Sequence, residues 1–228
     1  MKTMPIDEFN ADQLRGFISV ARRRLVELTA DNCRLAESIS GQESAKRAIQ
    51  VAAAGGHDMV IYGPSGTGAD RLVILAAQFG VAAYAVELCP CGRYTDIKRT
   101  CECTPGAIRK HWTKVLARPE IRTAAIHTEA RSVPFLQVGR PGLDFDTMSE
   151  YVGQVGDKPP AELADLDHSG NCFMRQAANK LGFSVDTITV VLSVAATIAA
   201  LDHNKAVLVQ HIAEAIQYRR FDRPMFPA

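Results

Sequence analysis

Apolar and polar residues alternate with the period of helices over most of this chain. Residues 10–28 carry apolar side chains at spacings of three and four, which predicts an amphipathic helix. Ser40 and Glu43 have the spacing of a capping box and predict the start of a second helix. The Gly55-Gly56 pair predicts its end, because glycine readily adopts the left-handed conformation that closes a helix.

Short strands and further helices are predicted beyond this point. The apolar runs over 59–62 and 81–87 predict strands. Residues 143–167 are rich in acids and contain a Pro-Pro pair, which predicts a linker with a short helix over 147–152. The C-terminal part is predicted to form helices over residues 171–181, 185–201 and 207–219.

A glycine-rich stretch joins the first predicted strand to the helix that follows it. It reads Gly63-Pro64-Ser65-Gly66-Thr67-Gly68, and four residues separate its first and last glycines, as in a phosphate-binding P-loop. In that loop, backbone N–H groups surround an anion at the positive end of a helix. The candidate nucleotide-binding residues are therefore Gly63, Gly66, Gly68, Ala69 and Asp70.

Two of these residues lack the chemistry of an active P-loop. The motif ends in Lys, which reaches the β- and γ-phosphates, and Ser or Thr, which binds Mg²⁺, but this chain has Ala69 and Asp70. We interpret the Asp70 carboxylate as filling the anion site from within. Arg71 points about 100° away from the lysine position on the helix and is a poor substitute. Hydrolysis is not expected, and binding of ATP or ADP is kept as the alternative.

Four cysteines form two close pairs after the second predicted strand. Cys89 and Cys91 are followed, after nine residues, by Cys101 and Cys103. Four thiolates in two pairs suit a tetrahedral Zn²⁺ site, and such a closed site is structural because no ligand position stays open. The alternative is a loop of four reduced thiols that packs on itself.

The region of these cysteines is locally basic and carries the only tryptophan, Trp112. A basic patch beside an aromatic residue can contact the nucleic-acid backbone. The alternative is a solvated face with Trp112 in the core. The candidate nucleic-acid residues are Arg93, Lys98, Arg99, Arg109, Lys110 and Lys114, the last three on a helix predicted over 105–116.

Composition adds little to this picture. The chain has 228 residues, 47% of them apolar and 22% charged, and a net charge of +1, which is typical of a globular protein. No apolar run reaches the length of a membrane span, and the first residues lack the apolar region of a signal peptide. We therefore expect a cytoplasmic protein with no membrane partner, where clustered cysteines favour metal over disulfides.

Several stretches resemble one known family. Residues 41–57, which run directly into the P-loop, resemble the AAA+ module of the ComM (YifB) proteins, relatives of the magnesium-chelatase I subunit. Residues 89–105 are similar to the cysteine insert of that family, 124–129 to a core strand, and 181–220 to its C-terminal helical lid. The resemblance implies an ATP-driven hexameric motor, and for ComM a DNA branch-migration helicase.

The chain departs from that family at the residues of the motor. Only eighteen residues separate Asp70 from Cys89, where the family has a longer segment with the acidic Walker B strand. The sensor asparagine of the family corresponds to the region of Glu87, and its sensor arginine to Ala196. Because these groups all serve one transition state, their joint loss indicates an inactive motor.

Together these observations predict an α/β fold, namely a reduced P-loop AAA+-like core with a four-cysteine loop and a C-terminal helical lid. The predicted segments are an N-terminal helical segment (1–39), the core (40–142), an acidic linker (143–166) and the lid (167–228). We expect a non-hydrolysing homologue that binds DNA, another protein or an active relative, with oligomerisation left open. The alternative is a nucleotide-binding subunit of an ATP-dependent DNA-processing ring.

Overall fold

The computed structural model describes residues 35–133, 143–155, 166 and 168–223. The amphipathic helix predicted over 10–28 lies outside these residues. The elements are α1 (Glu43–Gly55), β1 (Met59–Tyr62), α2 (Ala69–Gln78), β2 (Ala83–Val86), α3 (Pro105–Leu116), α4 (Pro119–Thr123), β3 (Ile126–Glu129), α5 (Phe145–Gly153), α6 (His168–Leu181), α7 (Val185–Leu201), α8 (Val209–Gln217) and a 3₁₀ turn (Arg220–Asp222). Both strands predicted from apolar runs, and the helix over 105–116, are confirmed.

The three strands form one parallel sheet in the order β2-β1-β3. Met59 is opposite Ala83 of β2 and Ile126 of β3. The central strand β1 is buried along its whole length. Parallel strands need helical crossovers, and α2 supplies the first of them. Residues 71–88 form only α2 and β2, so this part of the chain has no room for another strand between them.

The two faces of the sheet pack against different helices. Met59 and Ile61 point to the larger core, which contains α1, α2, α7 and α8. Val60 and Tyr62 point to the opposite face, where Trp112 of α3 is buried. This alternation is the expected period of two for a strand, and it places α3 and the cysteine loop on the face opposite α1.

The start of α1 differs from the prediction. Ser40 and Glu43 do not form a capping box: Gln42 is the N-cap, with a left-handed backbone (φ 64°) and no side-chain cap. Its side-chain amide instead donates to the carbonyls of Thr67 (3.1 Å) and Arg131 (2.6 Å) and accepts from the Arg131 N–H (3.1 Å). These tertiary hydrogen bonds join α1 to the P-loop and to the exit of β3, which a local motif cannot reveal.

The predicted end of α1 and the predicted C-terminal helices agree with the structure. Gly56 closes α1 in the left-handed conformation (φ 63°). The apolar helix α7 is largely buried, and Gly182 follows α6 with a φ of 69°. Helix α8 packs on α6 and α7, and α7 packs on α1. No helix among the described residues has the length and apolar character required to cross a membrane.

The short helix predicted over 147–152 exists as α5 and packs against α1. Asp144 caps it, and Met148 is fully buried. The buried Lys46 of α1 donates from Nζ to the carbonyls of Leu143 and Ala36, each at 3.1 Å. Burial lowers the pKa of Lys46, while Glu43 and Asp144 oppose that shift. The boundaries predicted for the four segments of the chain stay predictions.

Candidate functional site

The P-loop lies where the sequence predicted it, between the end of β1 and the start of α2. Gly66 and Gly68 both have positive φ angles, 83° and 88°, which only glycine adopts without strain. Within the described residues, their N–H groups donate to no other atom. The loop borders a cleft of about 590 Å³ that also reaches the end of β2.

The cleft has no lysine at the P-loop position, and Arg71 is the one cation among the described residues that line it. Asp70 and Arg71 are exposed and line it, together with Ala69. The Asp70 carboxylate accepts no hydrogen bond from any described residue, and the interpretation that it fills the anion site from within stays a prediction. Arg71 donates to the Ser38 hydroxyl, which draws its guanidinium toward the turn that precedes α1.

Ser65 ties the P-loop to the cysteine loop, a contact that the sequence did not predict. Its N–H donates to the Gly92 carbonyl at 2.7 Å, and its hydroxyl donates to the Glu87 carboxylate. Glu87 directly follows β2 and is exposed in the same cleft. The position of Glu87 directly after a predicted strand was the signal in the sequence that could have indicated its place in the cleft.

The four cysteines converge as predicted. Cys89 and Cys91 have sulfur atoms 3.4 Å apart, Cys91 and Cys101 3.6 Å, and Cys101 and Cys89 3.7 Å. All four sulfur atoms, including that of Cys103, lie within 4.8 Å of one another. Four sulfur ligands around Zn²⁺ at about 2.3 Å lie about 3.8 Å apart, so this donor set fits a tetrahedral zinc ion.

The backbone around the thiols also suits a metal centre. The N–H of Tyr94 donates to the Cys89 sulfur at 3.2 Å. Burial disfavours the Cys91 thiolate, but the N–H of Arg93 and the neighbouring thiols lower its pKa to about 6. The N–H of Cys103 favours the Cys101 thiolate, yet burial and the other thiols raise its pKa to about 12. The four thiols cannot ionise together unless a cation offsets their charge.

The predicted basic patch divides into two groups. Arg93 pairs with Glu102 at 3.2 Å, Arg99 pairs with Asp96 at 2.6 Å, and Lys98 donates to the Val133 carbonyl at 3.2 Å. The second group comprises Arg109, Lys110 and Lys114 on α3, which are exposed and have no acidic partner among the described residues.

Trp112 belongs to neither group. It is 6% exposed and packs edge-on against Phe221, with ring centroids 4.7 Å apart. The interpretation of Trp112 as a core residue is therefore confirmed, and a nucleic-acid base cannot stack on it in this conformation.

Two family models match the chain. Residues 35–80 match the family described as magnesium chelatase, subunit ChlI, and residues 147–219 match its C-terminal counterpart, subunit ChlI C-terminal. The first match contains α1, β1, the P-loop and most of α2, and the second contains α6 to α8. The two matches support the resemblance of this chain to the magnesium chelatase-like AAA+ family. No curated protein matches the chain.

The structure locates the position that corresponds to the sensor arginine of the family, Ala196. Ala196 is buried in α7, and its neighbour Thr197 bonds His57, before the amino end of β1, at 3.0 Å. The P-loop follows the carboxyl end of β1, so position 196 lies at the opposite end of this strand.

Proposed function

We propose that this chain is a non-hydrolysing homologue of ComM and magnesium chelatase that acts by binding DNA or protein. The observation that carries the proposal is the lining of the P-loop cleft. Asp70 and Glu87 bring two carboxylates to it, and Ala69 stands where a P-loop has its phosphate-binding lysine. Because nucleotide phosphates are anionic, these carboxylates repel the ligand that the loop would otherwise hold.

The Ser65 contacts support the same proposal. In this structure the Ser65 N–H is bound to Gly92 and is not free to donate to a phosphate oxygen. The segment between α2 and the cysteine loop contains a single strand, β2, which is followed by one acid, Glu87, and it has no second strand that could bring Walker B acids to the cleft. Phosphoryl transfer depends on the combined action of lysine, Mg²⁺ ligands and water-positioning acids. We therefore assign this site no catalytic step.

The exposed face of α3 is the surface that we assign to the partner. Lys110 and Lys114 are one turn apart, and Arg109 lies beside them. Three cations without an acidic partner in the part of the chain that the structure describes form a footprint for phosphates of the DNA backbone. A zinc ion held by Cys89, Cys91, Cys101 and Cys103 would cross-link the loop that leads directly into α3.

Calorimetric titration with ATP·Mg²⁺ and with ADP tests the proposal. The natural chain should not bind either nucleotide. A restored variant, Ala69→Lys with Asp70→Thr, serves as the positive control, and a third variant that adds Glu87→Asn removes the remaining carboxylate. If a restored variant binds nucleotide and the natural chain does not, the result supports a P-loop that has lost nucleotide binding. Micromolar binding by the natural chain contradicts the proposal.

One observation favours a second candidate, a nucleotide-binding subunit of an ATP-dependent DNA-processing ring. Gly66 and Gly68 keep the backbone of a P-loop, and the cleft beside them, at about 590 Å³, is large enough for a nucleotide. This candidate predicts saturable binding of ATP by the natural chain that Gly68→Asp abolishes.

A further inference from the structure

A second cleft lies on the other side of the P-loop. It has a volume of about 540 Å³ and is separate in its lining from the cleft beside α2, apart from Ser65 and Gly66. The P-loop supplies one wall, and the segment 96–99 of the cysteine loop supplies the other. The remaining lining residues, Ser132 and Val133, follow β3.

The charge of this second cleft is opposite to that of the first. Among the described lining residues, Lys98 and Arg99 face a single acid, Asp96, whereas two acids, Asp70 and Glu87, face a single cation, Arg71, in the cleft beside α2. Asp96 is committed within the protein, since it accepts from the Lys98 N–H (2.9 Å) and from Arg99 (2.6 Å) and its side chain is only 3% exposed. The Lys98 ammonium has a backbone carbonyl, that of Val133, as its partner at 3.2 Å, so its charge is not offset.

These cations are also held in position. Asp96 fixes the Arg99 guanidinium, which donates in addition to the Ser65 carbonyl. The exposed Gly66 contributes an N–H that donates to no described atom. A guanidinium, an ammonium and a free backbone N–H around one cavity form a donor set that suits phosphate oxygens.

We propose that the cleft between the P-loop and residues 96–99 binds a phosphate group, with Lys98 and Arg99 as its cationic ligands. The cysteine loop thus provides positive charge in this second cleft, whereas the cleft beside α2 lacks the P-loop lysine because position 69 is alanine. This site differs from the α3 face and does not require it. The phosphate comes either from the nucleic-acid backbone or from a small phosphate ester.

Titration of the full chain with inorganic phosphate, followed by amide NMR, tests this site. Phosphate should bind saturably and shift the Gly66 and Lys98 amide signals. Lys98→Met should weaken binding at least about tenfold, because it removes one charge-assisted hydrogen bond. Lys180→Met on α6 makes the same chemical change at an exposed lysine outside the cleft and should leave phosphate affinity unchanged.

Two further experiments show which cleft binds the phosphate and which class of molecule supplies it. Asp70→Asn should leave the phosphate affinity measured at the Lys98 amide signal unchanged, because Asp70 lines only the other cleft. In a variant whose α3 cations are replaced, displacement of inorganic phosphate by a single-stranded DNA oligonucleotide assigns the site to the nucleic-acid backbone, and its failure assigns the site to small phosphate esters. The proposal is overturned by absence of saturable phosphate binding, by equal binding in Lys98→Met, or by tighter binding at the Lys98 signal in Asp70→Asn. Failure of the chain to bind ATP or DNA does not overturn it, because this test measures inorganic phosphate.

Discussion

The N–H of Ser65 in the P-loop donates to the carbonyl of Gly92 in the cysteine loop at 2.7 Å. Arg99 of the cysteine loop donates in turn to the Ser65 carbonyl. The P-loop is therefore held on both sides of one residue by the loop that carries the four cysteines. A nucleotide that needed the Ser65 N–H would have to displace the Gly92 carbonyl.

Gly92→Ala should disrupt this contact. Gly92 has a φ of 67°, and an added Cβ would lie 1.9 Å from the Ser65 hydroxyl oxygen. Gly80 has a similar φ of 74° and nothing within 4 Å, so Gly80→Ala is the matched control. The control should lose about 1–2 kcal/mol from backbone strain, and Gly92→Ala at least about 1 kcal/mol more from the clash. Urea denaturation measures both, and equal losses would show that the two loops are not tightly docked.

One zinc ion per chain is expected in protein purified without chelator. Cys101→Ser should lose the metal and lower the free energy of unfolding by on the order of 3–5 kcal/mol, because the site is part of the folded structure. Cys172 is exposed and remote from the cluster in sequence, so Cys172→Ser should retain the metal and the stability. Metal analysis and thermal unfolding with and without chelator provide the measurements. Retention of full stability in the metal-free protein would favour the self-packed thiol loop.

The parts of this site that were predictable depend on local chemistry. Positive φ angles at Gly66 and Gly68, the end of α1 at Gly56 and the convergence of the cysteine pairs all follow from residue types within a few positions of one another. Trp112 illustrates the limit, because its spacing on α3 fits a core position and a stacking position equally well. Only the aromatic contact with Phe221 decides between them.

Features that the sequence did not predict share another cause. The capping box at Ser40 failed because Gln42 makes long-range hydrogen bonds to Thr67 and Arg131. The way α7 packs on α1 brings Ala196 to the end of β1 opposite the P-loop. Asp96, an acid within the basic region, organises Lys98 and Arg99. Each case depends on contacts between segments that are distant in sequence.

Replacement of the α3 cations should weaken DNA binding in a salt-dependent way. Each lost phosphate contact lowers the slope of log K against log salt by about 0.9, so the triple variant of Arg109, Lys110 and Lys114 to Ala should lose up to about 3 units of slope. Arg118→Ala is the control, because Arg118 already pairs with Glu120 at 2.9 Å. Fluorescence anisotropy over a salt series measures the slope. DNA affinity that does not change with salt concentration, or an unchanged slope in the triple variant, would contradict a role for the exposed face of α3.

The stability of the protein should fall on mild acidification because of His127. This histidine is 3% exposed and stacks on Phe221 at 4.3 Å, and its Nδ1 accepts from the Phe221 N–H at 3.2 Å. Its Nε2 has no hydrogen-bond partner among the described residues. Burial, reinforced by the charge of Arg219, lowers the pKa of His127 to about 3.

The direction of the pH effect follows from that shift. Between about pH 6.5 and 3 the unfolded chain binds a proton at His127 that the folded protein does not, so the free energy of unfolding decreases as pH falls, by up to about 1.4 kcal/mol per pH unit. His57 and His211 also have pKa values lowered by burial and add to the total slope. His127→Phe should lose a small constant amount of stability at neutral pH and show a flatter decline. Denaturation curves from pH 7 to pH 4 isolate His127 as the difference between the two proteins, and parallel curves would mean that folding does not lower the pKa of His127.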